Sequence, residues 1–266
     1  MIAGGATPRG IGRAIALRLA QDGAQVAVTD LPGAAVIAGA DCDRVTLLEE
    51  TAAEIRTSGG QAIALPLDVT SSKDINRCLS EIEAALGPVG ILVNNAGSLA
   101  GSADFLTTTP AQWEASFRVN LLGPVMLAQA VIPGMQSRGG GRIINIGSTG
   151  SLGAEPGFGA YTAMKHGLAG FSKTIAAEFG PDGILCNTVC PGYIATDMHT
   201  AANARLAGEQ GIPVEELRRR RYASVALRDA GQPEDVAEAV AYLAGPAGAY
   251  VTGISLPVTG GVSPGI

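Results

Sequence analysis

Tyr161 and Lys165 lie four residues apart in GFGAYTAMKHGLAGFSKTIAAEF, a stretch with apolar residues at helical spacing. On a helix the two side chains share a face, so the phenol and the ammonium point the same way. A tyrosine hydroxyl is a weak base near neutrality because its reference pKa is about 10. A cation ~5 Å away contributes ~3 kcal/mol at an effective dielectric near 20, which lowers that pKa by roughly two units. Such a pair is an activated proton donor or acceptor. Ser148 precedes Tyr161 by thirteen residues and follows the run Arg142-Ile143-Ile144-Asn145-Ile146. That run is β-branched and preceded by glycines, which predicts a buried strand. A serine at its carboxyl end, where open α/β sheets bind ligands, is placed to donate a hydrogen bond to a substrate oxygen.

The elements that hold these groups alternate. Strand-like runs cover residues 25–29, 62–67, 90–93, 142–146, 184–189 and 254–257, with helical stretches at 13–22, 47–58, 75–86 and 111–135. Alternation of this kind predicts a parallel sheet with helices on both faces. Thr109-Pro110-Ala111-Gln112 reads as a helix start, with Thr as cap, Pro first and Gln closing a capping box. Gln232-Pro233-Glu234-Asp235 opens another helix. No repeat or low-complexity linker divides the 266 residues, so one domain is expected.

Composition narrows the function. A hydrophobic fraction of 47% with 16% charged residues describes a compact folded chain. A net charge of −6 argues against nucleic acid as the main partner. MIAGGATPRG lacks a basic segment followed by an apolar one, and no uninterrupted apolar run matches a bilayer's thickness. The expectation is a cytoplasmic protein without a membrane partner. Cys42, Cys78, Cys186 and Cys190 read as buried reduced thiols. No His or Cys cluster completes a metal site around Cys186 and Cys190, so no metal is expected.

Gly4, Gly5, Gly10, Ile11 and Gly12 lie between a short apolar start and a helical stretch, the order that sets a pyrophosphate at a helix N-terminus. Only Met1 and Ile2 precede Ala3, so either the true start lies earlier or the first strand is truncated at its far end. Asp30 comes twenty residues after Gly10, at the end of the next strand. A carboxylate there accepts hydrogen bonds from ribose hydroxyls and repels a 2′-phosphate. Arg9 opposes it, either by neutralising such a phosphate or by pairing with Asp30.

Taken in order, GGATPRGIG, Asp30, Asp68-Val69, Asn94-Asn95-Ala96-Gly97, Asn120, Ser148, Tyr161, Lys165 and PGYIATDM resemble the short-chain dehydrogenase/reductase family over nearly the whole chain. The glycine spacing departs from the family's TGxxxGxG: four residues separate Gly5 from Gly10, or five if Gly4 is the match, and Ala3 or Gly4 stands in place of the threonine. The resemblance implies a single Rossmann-type domain, a doubly wound parallel α/β sheet flanked by helices on both faces. It implies that Asp68 and Val69 line the adenine edge. Asn95, Ala96 and Gly97 would line the nicotinamide-side ribose, and Pro191, Gly192, Ile194 and Thr196 would add further cofactor contacts. Asn120 would bend its helix and hold a water linking Lys165 to solvent.

The expected protein is thus an oxidoreductase passing a hydride between NAD(H) and a secondary alcohol or ketone, with NAD preferred over NADP. Its catalytic set would be Asn120, Ser148, Tyr161 and Lys165. The alternatives are an NADPH-dependent 3-oxoacyl-type reductase and, from another class, a non-catalytic nucleotide-sensing regulator. Residues from about 196 to 224 would form a substrate lid in which Arg218 to Arg221 make a solvated face or, as the alternative, an anchor for an anionic substrate tail, and His199 is incidental rather than catalytic. The insert from Leu31 to Arg44 has no assigned role. Small and apolar residues at Leu121, Leu122, Val125, Ala160, Ala163, Gly167 and Ala169 imply packing across a two-fold axis, and the resemblance implies a homotetramer.

Overall fold

The computed structural model describes residues 1–37, 40–154 and 156–262. The first half of the chain runs β1 (Ile2–Ala3), α1 (Ile11–Gln21), β2 (Val26–Asp30), β3 (Ala34–Ile37), β4 (Ala40–Asp43), α2 (Arg44–Thr57), β5 (Ala62–Pro66), α3 (Ser72–Leu86) and β6 (Ile91–Asn94). The second half runs α4 (Pro110–Phe117), α5 (Gly123–Ser137), β7 (Gly141–Ile146), α6 (Gly159–Phe179), β8 (Ile184–Pro191), α7 (Asp197–Gln210), α8 (Val214–Tyr222), α9 (Pro233–Ala244) and β9 (Ser255–Val258).

Seven strands form one sheet in the order β5-β2-β1-β6-β7-β8-β9, and every pairing in it is parallel. Strand order reverses between β1 and β6, which opens a crevice at the carboxyl ends of those strands. Ile15, Leu19, Leu48, Ile55, Val236 and Val240 bring α1, α2 and α9 onto one face. Ile75, Ile82, Leu127, Val131, Met135 and Ile175 bring α3, α5 and α6 onto the other. A strand covered on both sides needs no polar alternation, which explains the unbroken apolar runs.

Both proposed helix starts carry capping boxes, at Thr109 and at Gln232. The stretch expected as one helix over 111–135 is interrupted by a π-turn at Arg118–Leu122. Pro124 has no N–H to return to the Asn120 carbonyl, and the wider turn absorbs that missing bond. The whole run Pro110–Ser137 is, by length and composition, apolar enough to cross a membrane. Its Leu127, Val131 and Met135 lie instead in the core beneath the sheet.

Three further expectations change. Much of the insert at 31–44 is an antiparallel hairpin, pairing Ala34 with Asp43 and Ile37 with Ala40; residues 38 and 39 of it lie outside the described residues. Cys42 sits on this hairpin and is only half-buried, while Cys78, Cys186 and Cys190 are fully buried. Ala160 and Ala169 are buried within the chain itself, and Gly167 faces Leu121. Those positions are therefore not free for a partner.

Candidate active site

At the end of β7 the chain turns through Gly147, where a Cβ would lie 2.6 Å from Ser151 Oγ and 2.7 Å from Thr188 Cγ2. Only glycine lets the strand leave the sheet this tightly. The next residue, Ser148, caps a short 3₁₀ turn: Gly150 N–H donates to its Oγ at 3.1 Å, and Ser148 N–H donates to Ser151 Oγ at 3.2 Å. This fixes the Ser148 oxygen and leaves its O–H as a donor. A methyl group at Gly150 would sit 3.6 Å from both Ser148 Oγ and Tyr161 Cε1, so the two side chains flank one small space.

Tyr161 and Lys165 occupy the first turns of α6. The buried Lys165 ammonium donates to the Ile146 carbonyl at 2.7 Å and stands 5.6 Å from the Tyr161 ring centre. Loss of water lowers the Lys165 pKa from 10.5 to about 8, and Cys190 acts weakly in the opposite direction. Asn120, fully buried in the π-turn, donates to Ser98 O at 2.8 Å and accepts from Ser98 N–H at 3.0 Å. This clamps the loop after β6. A side chain at Gly97 would press toward Asn120 Oδ1 at 3.4 Å and Lys165 Nζ at 3.9 Å, so glycine keeps the approach to the lysine open.

The glycine turn is built for a closely approaching ligand. Gly4 has φ +86° and lies against the Ala96 backbone, and a Cβ at Gly12 would strike Gly4 O at 2.2 Å. Asn95 ties the second loop to the first by donating to Gly4 O. No side chain caps the N-terminus of α1 at Gly10, so its first N–H groups are free to hold an anion such as a pyrophosphate. The longer stretch relative to the family's spacing forms a turn closed by Gly10 N–H to Thr7 O at 2.9 Å. That turn carries Arg9 away from Asp30. Arg9 donates to Asp197 twice, from its backbone N–H at 2.9 Å and from Nε at 2.8 Å, so of the two roles left open for Arg9 the pairing with Asp30 gives way to a bond between the glycine loop and α7.

One cleft of about 340 Å³ is lined by Gly10, Ile11, Gly12, Asn95, Gly97, Ser148, Tyr161, Lys165, Pro191, Gly192, Ile194 and Thr196. Seven expected residues stand outside that lining: Arg9 and Asn120, whose bonds are given above, and Gly5, Asp30, Asp68, Val69 and Ala96. Gly5 packs on Val28, and the Ala96 backbone supports Gly4. Val69 is buried against Gly123. Asp68 accepts from Thr70 N–H and Oγ1 at 2.8 Å each, which spends one of its oxygens on its own turn. Asp30, at the end of β2, accepts from Ala6 N–H at 3.0 Å and Leu31 N–H at 2.8 Å.

The cleft also has a roof, formed by Tyr193 and by Met198, His199 and Arg221 of the expected lid. His199 is not incidental. Its Nε2 lies 2.9 Å from Tyr222 Oη. Burial, then Arg221 and Arg218, lower its pKa to about 4, so the ring is neutral near pH 7. The arginine run signalled charge, but which of its members turns inward depends on how α8 seats on α7.

Fold and site together define a nicotinamide-nucleotide oxidoreductase of the Rossmann type. The family model described as enoyl-(acyl carrier protein) reductase matches residues 4–263. The chain is 36% identical to nodulation protein G of Azospirillum brasilense, over 96% of this chain and 94% of that protein. It is 37% identical to (3R)-3-hydroxyacyl-CoA dehydrogenase of Rattus norvegicus, over 95% and 92%. A single-substitution variant of actinorhodin polyketide ketoreductase, solved with NADPH, superposes with TM-score 0.88 at 34% identity, covering 98% of this chain and 95% of that one. The chain belongs to the short-chain dehydrogenase/reductase family. It is an oxidoreductase acting on CH–OH or keto groups with a nicotinamide cofactor, and the reading as a non-catalytic regulator is not favoured.

Proposed function

We propose that Tyr161 is the acid/base, Ser148 the hydrogen-bond donor to the substrate oxygen, and Lys165 the charge that activates Tyr161. The observation that carries this is the buried Lys165 ammonium, anchored to the end of β7 beside Tyr161 and across from Ser148. In oxidation the substrate hydroxyl proton passes to Tyr161 Oη while the alcohol carbon gives up its hydride and becomes a carbonyl. The nicotinamide, when bound, takes that hydride or returns it in the reverse reaction. Ser148 and Tyr161 hold the substrate oxygen from two sides. Asn120 positions the Ser98 loop over the lysine. The helices α7 and α8, covering 197–222, act as the lid that excludes water.

We infer NAD as the preferred cofactor. Asp30 ends β2 with no ion pair among the described residues, and Arg9 is committed to Asp197. A 2′-phosphate would add about two negative charges next to that carboxylate. The NADPH of the actinorhodin ketoreductase supports the competing reading. The test is kcat/KM with each cofactor. NAD should lead by at least roughly tenfold, needing only ~1.4 kcal/mol, and Asp30→Ala should narrow the gap. A lead for NADP in the unmodified protein would overturn this choice.

The buried free thiols fit a reducing, cytoplasmic setting. The exposed small residues Ala163, Gly170 and Ala177 on α6 leave a face flat enough for a second copy, which supports a homotetramer. A monomeric mass by light scattering at micromolar concentration would sink that assembly.

A further inference from the structure

The four arginines of α8 are not equivalent. Arg218 pairs with Glu215 at 3.2 Å and Asp229 at 3.6 Å. Arg219 and Arg220 both pair with Glu216. Arg221 is the member of the run that has no carboxylate partner among the described residues. Its guanidinium bonds to the neutral amide of Asn203 and lies 5.1 Å from the centre of the Tyr193 ring. It lines the same cleft as Ser148, Tyr161 and Lys165.

The groups around Arg221 leave its charge uncompensated. Asp197, the nearby carboxylate of α7, accepts both of its bonds from Arg9. Asn203 and Tyr222 are neutral partners of each other, with Asn203 Nδ2 donating to Tyr222 Oη at 3.2 Å. His199 is neutral near pH 7 and shares the cleft wall. This half-buried guanidinium, held by an aromatic face and an amide, is part of the cleft wall, and its planar fork matches a carboxylate or sulfonate. Lysine in that place would lack the fork and the ring stacking.

We propose that Arg221 selects the substrate: a small secondary alcohol or ketone whose other end is an anion, held by the guanidinium while its oxygen sits between Ser148 and Tyr161. This rests on the oxidoreductase reading of the same cleft and adds the class of molecule that fills it. Tyr193 and Asn203 are the residues that orient Arg221. A neutral ester of the same acid would leave the guanidinium without its counter-charge and would bind less well.

The test compares acetoacetate with methyl acetoacetate in reduction, and 3-hydroxybutyrate with its methyl ester in oxidation. The free acids should exceed the esters at least tenfold in kcat/KM. Arg221→Gln should bring that ratio to about one, mainly by raising KM for the acids, and Arg221→Lys should restore part of it. An equal loss for acid and ester in Arg221→Gln would show that the residue only shapes the lid. A raised cofactor KM with an unchanged acid-to-ester ratio would place Arg221 on the cofactor phosphates instead. Either result overturns the proposal, as does an unmodified enzyme that favours the esters. Where other alcohols turn over but neither pair does, inhibition competitive with the alcohol decides. Methanesulfonate inhibiting where dimethyl sulfone does not supports the anion site, and equal weak effects refute it. No turnover of any alcohol or ketone with either cofactor would instead defeat the oxidoreductase reading itself.

Discussion

The floor and the roof of the cleft are built by different physics. The floor consists of the end of β7 and the first turns of α6. Its polar groups are buried and bound to backbone: Lys165 to Ile146 O at 2.7 Å, Asn120 to Ser98 O at 2.8 Å. The roof consists of α7 and α8, short polar helices carrying exposed ion pairs such as Arg205–Glu209 and Arg220–Glu216. Exposed pairs contribute little stability, so the roof is held at a few points: the Arg9–Asp197 bonds, the Ile194–Gly231 bridge and the Tyr193–His199–Tyr222 stack. The buried floor carries the acid/base pair proposed above, and the roof with its exposed ion pairs carries the proposed substrate contact.

The largest effect expected in the floor is that of Tyr161→Phe. It should lower kcat by about a thousandfold, within the range for removing a general acid or base, while cofactor affinity stays within a few fold. Substantial activity from pH 6 to 10 in this variant would break the assignment.

Lys165→Met tests what holding a charge in the floor costs. A pKa lowered from 10.5 to about 8 means that the folded state disfavours the ammonium. The cost is full below pH 8, where the residue is charged both folded and unfolded, and disappears above 10.5, where it is neutral in both. The variant should therefore be more stable by up to about 3 kcal/mol at pH 7, yet inactive. The gap should close as pH rises from 8 toward 10.5. Urea unfolding of the cofactor-free proteins at both ends of that window measures it. A variant less stable at pH 7 would show that the ammonium is better compensated than its burial implies.

In the roof, Asp197→Asn should matter more than Arg9→Ala. Asp197 is buried and accepts two bonds from the glycine loop, and bonds to a charged partner contribute about 1.5–3 kcal/mol. Its loss should raise substrate KM by roughly tenfold with a smaller change in kcat. Arg9→Ala removes a mostly exposed side chain, keeps the backbone bond to Asp197, and should alter kcat/KM with NAD by less than about threefold. Equal effects of the two substitutions would mean that the roof is not anchored through Asp197.

Much of this site was legible in the order of residues because its parts are local. The i, i+4 spacing alone put Tyr161 and Lys165 on one helical face, and a β-branched run put Ser148 at a strand end. The capping boxes at Thr109 and Gln232 are also local, set by contacts within four residues. What only the tertiary structure decided depends on partners far along the chain. Arg9 is committed to Asp197, 188 residues away, because the longer turn projects it toward the lid and not toward Asp30. Pro124 marks the π-turn locally, but the clamp of the Asn120 side chain on Ser98 joins it to another segment, 22 residues away. Four consecutive arginines carry the same charge in the sequence. Three meet carboxylates and the fourth lines the cleft, because the seating of α8 against α7 sets which direction each helical position points.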